Sequence, residues 1–149
     1  MRIGIDVGKV RVGVARSDRD ALLATPVATL TRGAGTLAEL RALTIELEPV
    51  EIVVGLPLSL SGGDTASTSD AREFALAVAR AIDVPVRLVD ERLSTVTAQR
   101  NLREAGRRAK GSRPIIDQAA AVIILQNALD FERSATRPPG EPVDPHESQ

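Results

Sequence analysis

The chain has no cysteine, no tryptophan and no tyrosine, and its one histidine is His146. Without cysteine there is neither a disulfide framework nor a thiolate metal site, which suits a reducing compartment. His146 falls in a proline-punctuated C-terminal stretch, so Ser-His-Asp and histidine–metal chemistry lack their donor. The two phenylalanines, Phe74 and Phe131, lie in helix-like patterns that favour core roles, which argues against binding single strands by stacking bases on aromatics. No apolar run approaches the ~20 residues of a membrane span, and the N-terminus lacks signal-peptide character. A cytoplasmic protein with no membrane partner is expected. The formal net charge of −1 gives no global attraction to polyanions, so any such attraction must come from a local patch. Carboxylates, hydroxyls and Arg/Lys are left for chemistry, an inventory suited to hard divalent cations and phosphate esters.

With 149 residues and 43% apolar composition, the chain reads as one domain able to bury a full core. Its organising stretch is Met1 to Asp18. Ile3, Ile5 and Val7 alternate with Arg2, Gly4 and Asp6, then Val12 and Val14 alternate with Gly13 and Ala15, giving two strands joined by a tight turn near Gly8 to Val10. Asp6 ends the first strand. A carboxylate there fits either a turn cap or a cation ligand, because a buried charge left alone costs several kcal/mol.

Ala24 to Leu30 reads as a third, edge strand containing Pro26. Thr36 to Glu39 matches a capping box before a helix with Leu37, Leu40, Leu43 and Leu47, stopped by Pro49. Val50 to Leu56 is the apolar run of a strand covered on both faces. After the loop Pro57 to Thr68, Ser67, Thr68 or Ser69 can cap a second helix with Phe74, Ala77, Val78 and Ala81 in one stripe. Val84 to Val89 is a fifth strand running into Asp90-Glu91-Arg92. A helix from Ser94 and Thr95 to Gly106, a basic connector to Arg113, and a last helix from Ile116 to about Arg133 follow. Pro138, Pro139, Pro142 and Pro145 mark residues 134–149 as a solvated, disordered tail beyond a domain spanning residues 1–133. The order predicts an α/β fold with a five-stranded mixed sheet flanked by helices, in which strands 1–3 are antiparallel and strands 1, 4 and 5 parallel. Strand four beside strand one would put Asp6 at a switch point.

Four segments resemble the YqgF (RuvX-type) family of the RNase H-like superfamily: Ile5 to Asp18, Val53 to Ser59, Val89 to Thr95 and Ile116 to Gln126. The resemblance spans about Met1 to Arg133. It implies an RNase H-like nuclease fold, similar in architecture to Holliday-junction resolvases, and a role in maturing the ends of pre-16S ribosomal RNA. By the same resemblance Asp6, Glu91 and Asp117 are the catalytic and metal-binding acids, holding Mg²⁺ or Mn²⁺. Two-metal hydrolysis needs such converging carboxylates to keep cations ~3.5–4 Å apart. Adjacent residues of a strand point to opposite faces, so Asp90 is left for a cap or an arginine pair. Lys9 and Val10 stand where the family usually has Thr and a basic residue, and Ser59, Leu60 and Ser61 replace its usual Asn and Asp.

Arg100, Arg103, Arg107, Arg108, Lys110 and Arg113 fall within fourteen residues, opposed only by Glu104. This run joins the strand bearing Glu91 to the helix bearing Asp117, so it is expected to overhang the site and bind phosphate backbone, with Lys9 and Arg11 extending the rim. The expected partner is nucleic acid, RNA before branched DNA, with ribosomal precursor particles as its setting and either a monomer or a homodimer as the acting unit. The alternatives are a four-way-junction resolvase using the same acids and a non-catalytic RNA- or ribosome-binding module using only the arginines. The glycine spacing fits neither the dinucleotide fingerprint nor the P-loop.

Overall fold

The computed structural model describes residues 1–59, 61–93 and 113–146, with the main chain alone at 93 and 113–117. In chain order, β1 (Arg2–Val7), β2 (Arg11–Ser17) and β3 (Ala24–Thr31) precede α1 (Thr36–Leu47). Then come β4 (Glu51–Leu56), α2 (Ala66–Ala81), β5 (Val86–Asp90), a 3-10 turn (Glu91–Leu93), α3 (Arg113–Ala135) and β6 (Glu141–Pro142). The strands lie in the order β3-β2-β1-β4-β5-β6. β1, β4 and β5 are parallel, and β2 and β3 are antiparallel additions, as the sequence pattern predicts. The C-terminal ends of β1, β4 and β5 therefore share one edge, with β1 in the sheet interior.

Strand alternation divides the core in two. Ile3, Ile5, Val12, Val14, Ile52 and Val54 are fully buried on the face covered by α1 and α2, where they meet Leu40, Phe74 and Val78. Each such side chain contributes roughly 1.5–3 kcal/mol by leaving water. The opposite face is built of smaller residues. Gly4 pairs with Ala15 and with Val53, Asp6 with Gly13, and Gly55 with Val89. Over that face α3 lays Ala121, Ile124, Leu125, Ala128 and Leu129. A Cβ on Gly4 would come 2.6 Å from Leu125 Cβ, so the helix rests almost on the β1 backbone.

Several local expectations need correction. Gly35, not Thr36, is the N-cap of α1, and no side chain caps it; Thr36 Oγ1 instead accepts from Gly33 N and faces the Thr31 carbonyl, tying helix to strand. In α2 the cap is Thr65, reciprocated by Thr68 three residues later, ahead of the Ser67–Ser69 group expected to cap it. Thr68 Oγ1 also donates to the Pro57 carbonyl. The last helix begins at Arg113, because Pro114 in its first turn has no N–H to lose and its fixed φ suits a helix start.

The segment after Ser134, expected as a solvated tail in a five-stranded fold, instead supplies a sixth strand. Val143 N donates to Val86 O, Arg87 Nη1 reaches the Pro139 carbonyl, and Arg80 Nε the Pro145 carbonyl. Gly140 makes this docking feasible: its φ is +68° and a Cβ there would lie 1.9 Å from Leu88 O. The helix expected between Ser94 and Gly106 lies outside the described residues. No helix among the described residues is long and apolar enough to cross a membrane.

Candidate active site

Asp6 is the penultimate residue of β1 and lies on the small-residue face, opposite Gly13. Glu91 opens the 3-10 turn directly after β5. The chain turns there because the Asp90 carboxylate accepts from Arg92 N at 2.8 Å, an Asx-type turn that stops the strand. Asp90 also takes the Arg92 guanidinium, at 3.0 Å from Nε and 2.7 Å from Nη2. This pair holds the Asp90 carboxyl below the usual range. Asp90 is thus committed to a cap and an arginine, as its position opposite Glu91 predicts, and Arg92 is the partner of Asp90.

Glu91 folds back over β4. A Cβ on Gly55 would lie 2.8 Å from Glu91 Oε1 and 2.6 Å from Ile124 Cδ1, so this glycine leaves the space that the carboxyl occupies. The Glu91 and Asp6 carboxyl groups lie within hydrogen-bonding reach of one another, a bond that forms only when one of them is protonated. Burial is the largest cause raising the Glu91 carboxyl to about 7, followed by the negative charge of Asp6, the bond between them and the charge of Asp90. Two acids 85 residues apart in sequence meet because β1 and β5 end on the same edge.

Asp117 lies on α3, four residues after its start at Arg113. Its side chain and that of Arg113 lie outside the described residues, as do Arg100, Arg103, Arg107, Arg108 and Lys110. Lys9 is exposed and Arg11 half-buried, at the β1–β2 turn next to Asp6. Among the described residues no cluster of three His, Cys, Asp or Glu side chains is assembled. Asp6 and Glu91 nonetheless form an all-oxygen donor pair whose charges disfavour one another, the chemistry a hard divalent cation relieves. Such a cation fits these residues.

Gly55, which makes room for the Glu91 carboxyl, is the position that motif reading passes over. Its signal was available, since a glycine inside an apolar strand marks close approach by another group.

The profile of the family described as RuvX, Holliday junction resolvase, matches residues 1–131. The chain belongs to the RuvX family. A protein of Leifsonia xyli subsp. xyli is 57% identical over 97% of this chain and 95% of its own length. One of Thermobifida fusca is 50% identical over 97% and 96%, and one of Streptomyces coelicolor 52% identical over 96% and 87%. Each of the three bears the name of a candidate pre-16S rRNA nuclease. Among solved structures, RuvC of Thermus thermophilus in complex with a Holliday junction substrate superposes with a TM-score of 0.61 at 18% identity, covering 95% of this chain and 98% of that one. At that identity the likeness shows the fold, a RuvC-like mixed sheet.

Proposed function

We propose that this protein is a cation-dependent nuclease that hydrolyses RNA phosphodiesters in the maturation of pre-16S rRNA, with Asp6, Glu91 and Asp117 as its catalytic acids. The observation that carries this reading is the meeting of the Asp6 and Glu91 carboxyl groups at the C-terminal edge of the parallel strands. The names of the relatives support the RNA substrate. Asp6 and Glu91 would hold Mg²⁺ or Mn²⁺, and Asp117 would complete a two-cation set from α3. A bound cation of this kind lowers the pKa of water and offsets charge on a phosphoryl oxygen.

The chain's own groups set the stage for that chemistry. The β1 and β5 ends fix the two carboxyls, and Gly55 keeps room for Glu91. Lys9 and Arg11, beside Asp6, would bind the phosphate backbone together with the basic run Arg100, Arg103, Arg107, Arg108, Lys110 and Arg113. The setting is the cytoplasm, on ribosomal precursor particles, with residues 1–133 as the nuclease unit and β6 docked on its edge. The family description favours one second reading, resolution of four-way DNA.

One assay separates the readings. The protein is incubated with a 16S rRNA precursor, single-stranded DNA and a four-way DNA junction, each with Mn²⁺ or Mg²⁺. The expected result is cleavage of the RNA, reduced at least about a hundredfold in Asp6→Asn, Glu91→Gln and Asp117→Asn. Paired nicks in the junction beside intact RNA would move the substrate to DNA. Tight RNA binding without cation-dependent cleavage would leave a binding module.

A further inference from the structure

Arg32 follows the last residue of β3 and makes contacts that the site motifs leave unexplained. Its guanidinium forms a two-pronged pair with Asp70 on α2, Nη1 to Oδ2 and Nη2 to Oδ1, both at 2.6 Å. The same Nη1 donates to the Gly8 carbonyl at 3.0 Å, and the Arg32 main-chain N–H donates to the Val10 carbonyl at 2.8 Å. The guanidinium also lies 5.5 Å from the centre of the Phe74 ring. One residue therefore grips the β1–β2 turn at two of its carbonyls and is itself held by a helix on the far face of the sheet. Gly8 is two residues beyond Asp6, and its N–H closes the turn by donating to Arg11 O at 2.9 Å.

We propose that the Arg32–Asp70 pair is a positioning device for the nuclease centre, fixing the turn after Asp6 and thereby the aim of its carboxylate at Glu91. The proposal rests on the nuclease reading above for its catalytic consequence and on geometry alone for the clamp. A planar fork held by two parallel charge-assisted bonds sets direction as well as distance, which a lysine ammonium cannot do. Without it, among the described residues the hairpin tip keeps the main-chain bond from Arg32 and its own closing bond. A small swing there displaces a carboxylate at a reacting centre, where misplacement by about 1 Å is worth about a hundredfold in rate. Asp70 acts through Arg32, and Arg32 through the turn; neither is a catalytic residue.

Arg32→Lys and Asp70→Asn test this, each retaining side-chain size and polarity so that the domain still folds. The expected result is an RNA-cleavage kcat lowered about tenfold with KM within about twofold of the parent, and no further loss in the double variant, because both changes break one device. In parallel, the Gly8 amide should exchange its hydrogen about tenfold faster while Ile52 and Val54 in β4 keep their protection. Unchanged Gly8 exchange, or a raised KM with kcat intact, would overturn the proposal, the latter making Arg32 a substrate contact. If the parent protein cleaves nothing, the nuclease reading fails by itself and the exchange arm still decides the clamp.

Discussion

The two faces of the sheet are built on opposite rules. Beneath α1 and α2, branched side chains such as Ile3, Ile5, Ile52 and Val54 fill the space between sheet and helices. Beneath α3, Gly4 and Gly55 leave almost none, and the helix approaches the strands directly there. The first arrangement makes stability. The second brings backbone, a helix and two carboxyl groups within reach of one another, and it places every acid in the proposed catalytic set on one side of the sheet or on the helix over it. Alternation along β1 performs the sorting, since Ile3 and Ile5 face one way and Gly4 and Asp6 the other.

Gly4→Ala is the harshest way to break this comparison. Its Cβ would meet Leu125 Cβ at 2.6 Å and the Ala121 carbonyl at 3.2 Å, atoms that move only with the whole helix. A loss of about 3 kcal/mol in urea unfolding is expected, as for other overpacked cores. A cost below about 1 kcal/mol would mean α3 is not fixed on β1.

Glu91→Gln should act in the opposite direction. In metal-free buffer a carboxyl raised to about 7 binds its proton in the folded state over a range where the unfolded chain, with an ordinary value near 4.5, has lost it. Folding stability therefore falls as pH rises from about 4.5 to about 7, then levels off. The amide variant should lack that decline and be about 2 kcal/mol more stable at pH 8. Parallel pH profiles for parent and variant would contradict the raised Glu91 value.

Gly55→Ala sharpens the contrast with Gly4. The atoms its Cβ meets, Ile124 Cδ1 and Glu91 Oε1, are ends of flexible side chains. The fold should lose only about 1 kcal/mol. Glu91, however, must leave its place beside Asp6, so nuclease activity should fall about tenfold or more with the protein still folded. Equal losses of stability at positions 4 and 55 would erase the distinction.

Much of this was legible in the sequence because strand periodicity and strand order are encoded locally. The alternation around Asp6 and the continuous apolar run of β4 put Asp6 at the switch point. The pairing of Glu91 with it came from the family resemblance and is explained by β1 and β5 ending on one edge. β6 was not legible: Glu141–Pro142 is two residues long and flanked by prolines, and it exists through Gly140 and the exposed edge of β5. The Arg32–Asp70 pair spans 38 residues and follows no period, so only the folded chain reveals it. Thr36 matched a capping box yet serves the preceding strand, because a hydroxyl takes whichever backbone group the tertiary fold brings nearest.

The most direct test of the central claim, that Asp6 and Glu91 form a cation site, is thermal unfolding at pH 8 with and without millimolar Mn²⁺. A cation that binds only the folded state raises the melting temperature by linkage. The parent protein is expected to gain several degrees, and Asp6→Asn and Glu91→Gln to gain almost nothing, while Arg32→Lys, which keeps both carboxylates, retains part of the shift. An undiminished Mn²⁺ response in both carboxylate variants would place the site elsewhere and contradict the account.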